Sequence, residues 1–258
     1  SRNGEMGDGR DYSWAGAATH YYVGYKTWFS QITAGHKHAC ALKTDGTIWC
    51  WGLNTWGNLG NGNTTSQIYP VAAASTITTA TQIMASESAT CALLLDQTVR
   101  CWGEGIALGY GSTSNSLTPV QPTGLTGVTK LLDANGDTMC AIKTDTTLWC
   151  WGKNNNGQLG IGNTTNQLTP VQVSSLTGVV SGSVSPNHTC VVLNDGTPRC
   201  WGLNTWRQLA NGTVVNSTVP TAVTGVTGVA QLASGDSHTC AVLQAGTIKC
   251  WGDNSQGS

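Results

Sequence analysis

The sequence predicts an all-β protein, a β-propeller of four-stranded blades, from three observations. Ten cysteines fall in five pairs, at 40 and 50, 91 and 101, 140 and 150, 190 and 200, and 240 and 250, so that a pair recurs every 49 to 51 residues. Each pair flanks a segment in which side chains alternate in size and polarity, the period-two signal of strands. A repeat near 50 residues with about four short strands and glycine-rich turns is the size of a propeller blade. Helical repeats do not fit the Thr, Gly and Asn content or the missing 3.6-residue period. The 258 residues suffice for a large buried core.

The elements follow in order within the repeat. Cys40-Ala41-Leu42-Lys43 and Thr47-Ile48-Trp49-Cys50-Trp51 read as two strands, with Thr44-Asp45-Gly46 between them. A three-residue hairpin loop needs a residue at positive φ, and Gly46, Gly196 and Gly246 meet that at little steric cost. A loop centred on Asp45 sets Leu42 opposite Ile48 and Cys40 opposite Cys50. The same centring holds at Asp96, Asp145, Asp195 and Ala245. Directly opposed antiparallel residues have Cα atoms ~4.5–5.5 Å apart, inside disulfide range. The expected bridges are therefore Cys40 with Cys50, Cys91 with Cys101, Cys140 with Cys150, Cys190 with Cys200, and Cys240 with Cys250. Five pairs of buried free thiols are the alternative. Opposed partners in every repeat favour disulfides and an oxidising compartment.

A looser motif follows each hairpin: WGNLGNGNTT from Trp56, GQLGIGNTT from Gly157 and RQLANGTVV from Arg207. An extended stretch comes next, usually with proline: Tyr69-Pro70-Val71, Thr118-Pro119-Val120, Thr169-Pro170-Val171 and Val219-Pro220-Thr221. Together with HACALKTDGTIWCWG from His38 and its four counterparts, this text resembles the repeat of the regulator of chromosome condensation family, in its bacterial, cysteine-bearing branch. The resemblance covers Asn3 to Ser258. It implies a propeller of four-stranded blades, usually seven of them.

Five hairpins point to five blades. Asn3-Gly4-Glu5-Met6-Gly7-Asp8-Gly9 matches Asn156-Gly157-Gln158-Leu159-Gly160-Ile161-Gly162. Residues 1–39 are therefore expected to supply a half-blade that completes the C-terminal blade. That makes 1–258 a single propeller domain with no exposed sheet edge. The alternative is a fragment of a seven-bladed ring. Arg10 to Phe29 departs from the repeat and is rich in aromatics; it reads as a diverged closing strand, or as a binding loop or contact to a neighbouring domain.

The tryptophan after each second cysteine, at 51, 102, 151, 201 and 251, reads as packing between blades. Trp56 and Trp206 lie in the near-identical stretches LNTW, beside Asn54 and Asn204, and are not required in every blade. They are the first ligand-binding candidates, since a flat apolar ring with an N–H suits a sugar or a protein groove. Trp14 and Trp28 also fall outside the packing rule and join them. A partly exposed loop residue folded onto its own blade is the competing reading. His38, His188 and His238 precede their cysteines by two and read as structural histidines. His36 forms a weak His-x-His with His38, and His20 has no recognisable partner. Asp8, Asp11, Asp137 and Asp236 lie in glycine-rich loops without a calcium-loop pattern. No metal site and no cofactor are expected. Five Asn-x-Ser/Thr sequons, at Asn63, Asn163, Asn187, Asn211 and Asn216, matter only in a glycosylating source.

Composition bounds the function. Charged residues are 10% of the chain, against roughly 25% in average domains. The net charge of −1 gives no footprint for nucleic acid or a membrane surface. No apolar run reaches the ~18 residues of a membrane span. No secretory signal precedes Ser1, as in a cytoplasmic, processed or partial chain. No nucleophile elbow, phosphate loop or embedded carboxylate pair is present, so catalysis is not expected. The reading that fits is a secreted or cell-surface, non-catalytic binding module, acting in adhesion or recognition of a cell-surface protein or glycan through propeller loops. A structural subunit or tip domain of an extracellular fibre, in contact with a neighbouring domain or subunit, and a secreted enzyme inhibitor are the alternatives. A propeller hydrolase or lyase, and the nucleotide exchange on a small GTPase that the resemblance also implies, fit less well.

Overall fold

The computed structural model describes residues 28–74 and 76–255. They form five sheets in chain order, each built on an antiparallel meander of the predicted blade type, one of them with a short parallel strand added at its edge. Blade 1 holds β1 (Phe29–Ala34), β2 (His38–Lys43), β3 (Ile48–Gly52) and β4 (Gln67–Ala73). Blade 2 holds β5 (Ala80–Ala85), β6 (Ala89–Leu94), β7 (Val99–Gly103) and β8 (Ser116–Val120). Blade 3 holds β9 (Val128–Leu131), β11 (Thr138–Lys143), β12 (Leu148–Gly152) and β13 (Gln167–Gln172); the short β10 (Asp133–Ala134), which lies between β9 and β11 in the chain, pairs in parallel with the first strand of blade 4. Blade 4 holds β14 (Val179–Val184), β15 (His188–Leu193), β16 (Pro198–Gly202) and β17 (Ser217–Ala222). Blade 5 shows β18 (Val229–Ser234), β19 (His238–Leu243) and β20 (Ile248–Gly252) among the described residues. Blades 1 and 2 make one compact unit, and blades 3 to 5 make a second that begins at Val128.

The hairpins have the predicted register. Cys40 faces Cys50, and the four later pairs match it. Their Cα atoms are 4.1–4.2 Å apart, the narrow spacing of opposed residues that exchange no backbone hydrogen bonds. All five disulfides are formed. In the turn, Asp45 Oδ1 accepts from the Thr47 amide at 3.0 Å and its hydroxyl at 2.6 Å. Asp96, Asp145 and Asp195 repeat this device. The threonine hydroxyl, then its amide, holds each carboxyl below the usual range. The left-handed turn position is glycine in three hairpins, whereas Gln97 and Thr146 hold it at φ 65° and 63°.

Blades within a unit are joined by the predicted tryptophans. The Trp102 indole is buried and donates to the Asn58 carbonyl of blade 1 at 2.9 Å. Trp201 does the same to Gln158 of blade 3 at 2.8 Å, and Trp251 to Gln208 of blade 4 at 2.9 Å. Histidines add a second link. His38 Nε2 lies 2.9 Å from the Thr90 hydroxyl of blade 2, and His188 Nε2 lies 2.7 Å from Thr239 of blade 5. Burial pushes the pKa of each ring down to about 4, His188 being lowered further by His238. A neutral imidazole between two blades is thus a structural group. Between leading strands, Thr33 Oγ1 accepts from the Ala85 amide at 2.9 Å, and Ser183 Oγ from the Ser234 amide at 3.0 Å.

One boundary differs from expectation. The end of the segment expected to complete the C-terminal blade, Phe29–Ala34, is the first strand of blade 1, paired with β2. Its hydrogen bonds to β5 through Gln31 and Thr33 suit that place. The segment before Trp28, with Trp14, His20, Asp8 and Asp11, lies outside the described residues, and so does the expected closure of the last blade. Among the described residues no helix is long and apolar enough to cross a membrane.

Candidate functional site

Three long loops follow the third strands of blades 1, 3 and 4, and each is organised by one buried asparagine. Asn54 Nδ2 donates to the carbonyls of Asn63 at 2.9 Å and Thr65 at 3.2 Å, while Oδ1 accepts from the Leu59 amide at 2.9 Å. Asn204 makes the same set, to Thr213 and Val215 at 3.1 Å each and from Leu209 at 3.0 Å. Asn154 completes the series in blade 3. One amide therefore satisfies three backbone groups that a loop of this length would otherwise leave buried and unpaired. Asn54 and Asn204 are fully buried. This corrects their reading as contact residues: they shape the loop from within. Blade 2 lacks the device. Its loop is shorter, Gly105 replaces the asparagine, and residues Gly105–Ala107 form a 3-10 turn. A Cβ at Gly105 would collide with the backbone of Thr113 and Ser114.

The tryptophans stand on this scaffold. The Trp56 amide donates to Asn58 Oδ1 at 3.3 Å, and the Trp206 amide to Gln208 Oε1 at 2.8 Å. Blade 3 has Asn156 at this position, held by Gln158 at 2.9 Å, and its side chain bonds to Asn187 of blade 4 at 3.1 Å. Both candidate tryptophans thus emerge at the end of the blade where the short loops between first and second strands also lie. Trp56 is half-buried and helps line a crevice of about 60 Å³ with His36, Lys37 and Glu87. That volume admits water but no organic ligand. Trp206 is 55% exposed. Trp28 is 82% exposed at the start of blade 1, far along the chain from either loop.

The remaining candidates sort as follows. His38 and His188 are buried between blades, and His36 is exposed. Asp137 is buried within 2.6 Å of Lys153 Nζ, an ion pair of blade 3 without the alignment of a hydrogen bond. Asp236 is exposed and accepts from Asn135 Nδ2 at 3.4 Å. Among the described residues no three His, Cys, Asp or Glu side chains converge as a metal site would require. The sequence reading passed over Arg207, Val214 and Val215, which share the blade 4 loop with Trp206. The signal was present: Gly57 and Gly157 align with Arg207, and Thr64-Thr65 and Thr164-Thr165 align with Val214-Val215.

Comparison with known proteins bears on the repeat. The regulator of chromosome condensation (RCC1) repeat profile matches residues 45–93, 145–192 and 200–242. A second profile of the same repeat matches 29–58, 130–158 and 229–258. The ultraviolet-B receptor UVR8 of Arabidopsis thaliana is 42% identical over 45 residues, which is 17% of this chain and 10% of that receptor. Human WBSCR16 superposes with a TM-score of 0.79 at 20% identity, over 92% of this chain and 67% of that one. Prp20p of Saccharomyces cerevisiae superposes with a TM-score of 0.55 at 18% identity, over 87% of this chain and 72% of that one. The likenesses to these two solved structures are likenesses of fold.

Proposed function

Since the chain belongs to the regulator of chromosome condensation (RCC1) repeat family, we propose that it is a non-catalytic binding module working outside the cell, which recognises a protein partner through the loops carrying Trp56 and Trp206. Propellers of this repeat are protein-binding modules, and Prp20p has been studied for its binding to Gsp1p and histones. The observation that carries the reading is the pair of loops. A buried asparagine rigidifies each, and each then spends a tryptophan on a position where blade 3 has asparagine. A rigid scaffold with a large amphipathic ring at its tip is the build of an interface anchor. The setting outside the cell is supported by five disulfides with no free cysteine among the described residues.

The test is binding of the labelled chain to intact cells, with and without prior trypsin treatment of those cells. A protein receptor requires loss of binding after trypsin, and loss in the Trp56→Ala/Trp206→Ala variant with its melting curve unchanged. Binding that survives both tryptophan changes would remove the loops from recognition. Binding that survives trypsin and is competed by a free glycan would move the partner to carbohydrate.

A further inference from the structure

We propose that the blade 4 loop, residues 203–216, is the docking surface for a protein segment that presents apolar side chains beside a carboxylate. The inference rests on the recognition role proposed above and narrows it to one loop and one partner chemistry.

The loop keeps the scaffold of its counterparts but breaks their rules at the surface. Gly57 and Gly157 hold φ 84° and 79°, and a Cβ on either would sit 2.9 Å from a Cα of the next blade, that of Leu117 or Thr218. Arg207 occupies this position at φ 63°. Ala210 holds φ 45° where Gly60 and Gly160 hold 65° and 75°. Two L-residues in the left-handed region within four positions are strain that the fold does not require, since blades 1 and 3 avoid it. The Nε2 of Gln208, whose counterpart Gln158 bonds to the Pro186 carbonyl at 3.0 Å, is buried without a partner. Strain of this kind collects at binding sites.

The side chains gained by these departures are chemically of one kind. Val214 and Val215 are 51% and 69% exposed. Their exposure belongs to the position. Thr64, Thr65, Thr164 and Thr165 are exposed too, in blades whose loops are bonded to the next blade's fourth strand through Gly62 to Leu117 and Gly162 to Thr218. What changes in blade 4 is the loss of two hydroxyls for two methyls. That change works against a sugar, whose recognition uses hydrogen bonds, and favours an apolar contact. Trp206 is a third exposed apolar side chain on the loop. Arg207 is exposed, has no side-chain partner among the described residues, and no acidic residue occurs in 203–216. An exposed guanidinium on the same loop as an exposed tryptophan and two exposed valines fits a carboxylate flanked by apolar groups.

The experiment selects a phage-displayed random dodecapeptide library on the native, disulfide-bonded chain, and measures the synthesised winners by calorimetry. The expected winners carry Asp or Glu next to Leu, Ile or Phe. Their affinity is expected to fall at least tenfold in R207G/V214T/V215T, which places the residues of blades 1 and 3 at those three positions and whose fold is checked by its melting curve. Winners without that pattern, winners that bind the restored chain equally, or an empty selection would overturn the proposal. So would a glycan-array signal that Trp206→Ala abolishes and the restored chain keeps. Cell binding that needs Trp56 but ignores the restored loop would overturn this inference alone and leave the recognition role standing.

Discussion

The loops of blades 1 and 4 begin with the same four residues, Leu-Asn-Thr-Trp, and end differently. In blade 1 the tryptophan is half-buried over a small crevice, the turn glycines are in place, and the rim is Thr64-Thr65. In blade 4 the tryptophan stands out, arginine and alanine take the glycine positions, and the rim is Val214-Val215. The backbone hydrogen bonds to the central asparagine are nevertheless the same within 0.2 Å at Leu59 and Leu209. The difference teaches that loop shape and loop surface are set by separate residues. A buried amide fixes the first, so the second is free to vary without cost to the path of the chain.

The largest test of that separation is Asn54→Ala against Asn204→Ala. Each leaves one buried amide and two carbonyls unpaired, which predicts a loss of about 4 kcal/mol in urea unfolding, equal in the two loops to within about 1 kcal/mol. A much smaller loss at Asn204 would mean that the blade 4 loop is held by its surface instead. Next comes pH. The pKa values of His38 and His188, in the same two blades, fall from 6.5 to about 4 on folding. The unfolded chain therefore binds more protons between those values, and stability falls as pH drops through that window, by about 3 kcal/mol for each histidine. His38→Gln and His188→Gln should each flatten the profile by a similar amount; a profile unchanged in both would exclude the neutral, bridging imidazole.

Smaller effects sharpen the surface half of the comparison. Arg207→Gly is expected to raise stability by about 1 kcal/mol, since it relieves a left-handed L-residue where two other blades use glycine. Gln97→Gly, at the hairpin turn of blade 2, should give a gain of under about 1 kcal/mol, because the unfolded glycine is more mobile. A loss of stability in Arg207→Gly, with a gain in Gln97→Gly, would show that the arginine side chain makes contacts that offset its backbone.

Much of this was legible in the sequence. Cysteine spacing and turn centring fixed the hairpin register, because opposed positions on antiparallel strands follow from arithmetic alone. The tryptophans after Cys101 and Cys200 were legible as packing because a repeat makes every blade meet its neighbour in the same way. Asn54 and Asn204 were visible as unusual but assigned to contact, since a string does not tell an amide turned inward from one turned out. The link from His38 to Thr90 joins residues 52 apart on different blades, and no local pattern carries it. Arg207, Val214 and Val215 were readable by aligning blade 4 on blades 1 and 3, but only the φ values and exposures gave the exchange its meaning.

The docking role proposed for the blade 4 loop requires that the loop give up stability for a surface that takes a partner. Thermal melting and cell binding, measured on one preparation of R207G/V214T/V215T, test it together. The account predicts a higher melting temperature and binding weakened at least tenfold. Unchanged binding with a higher melting temperature would contradict it.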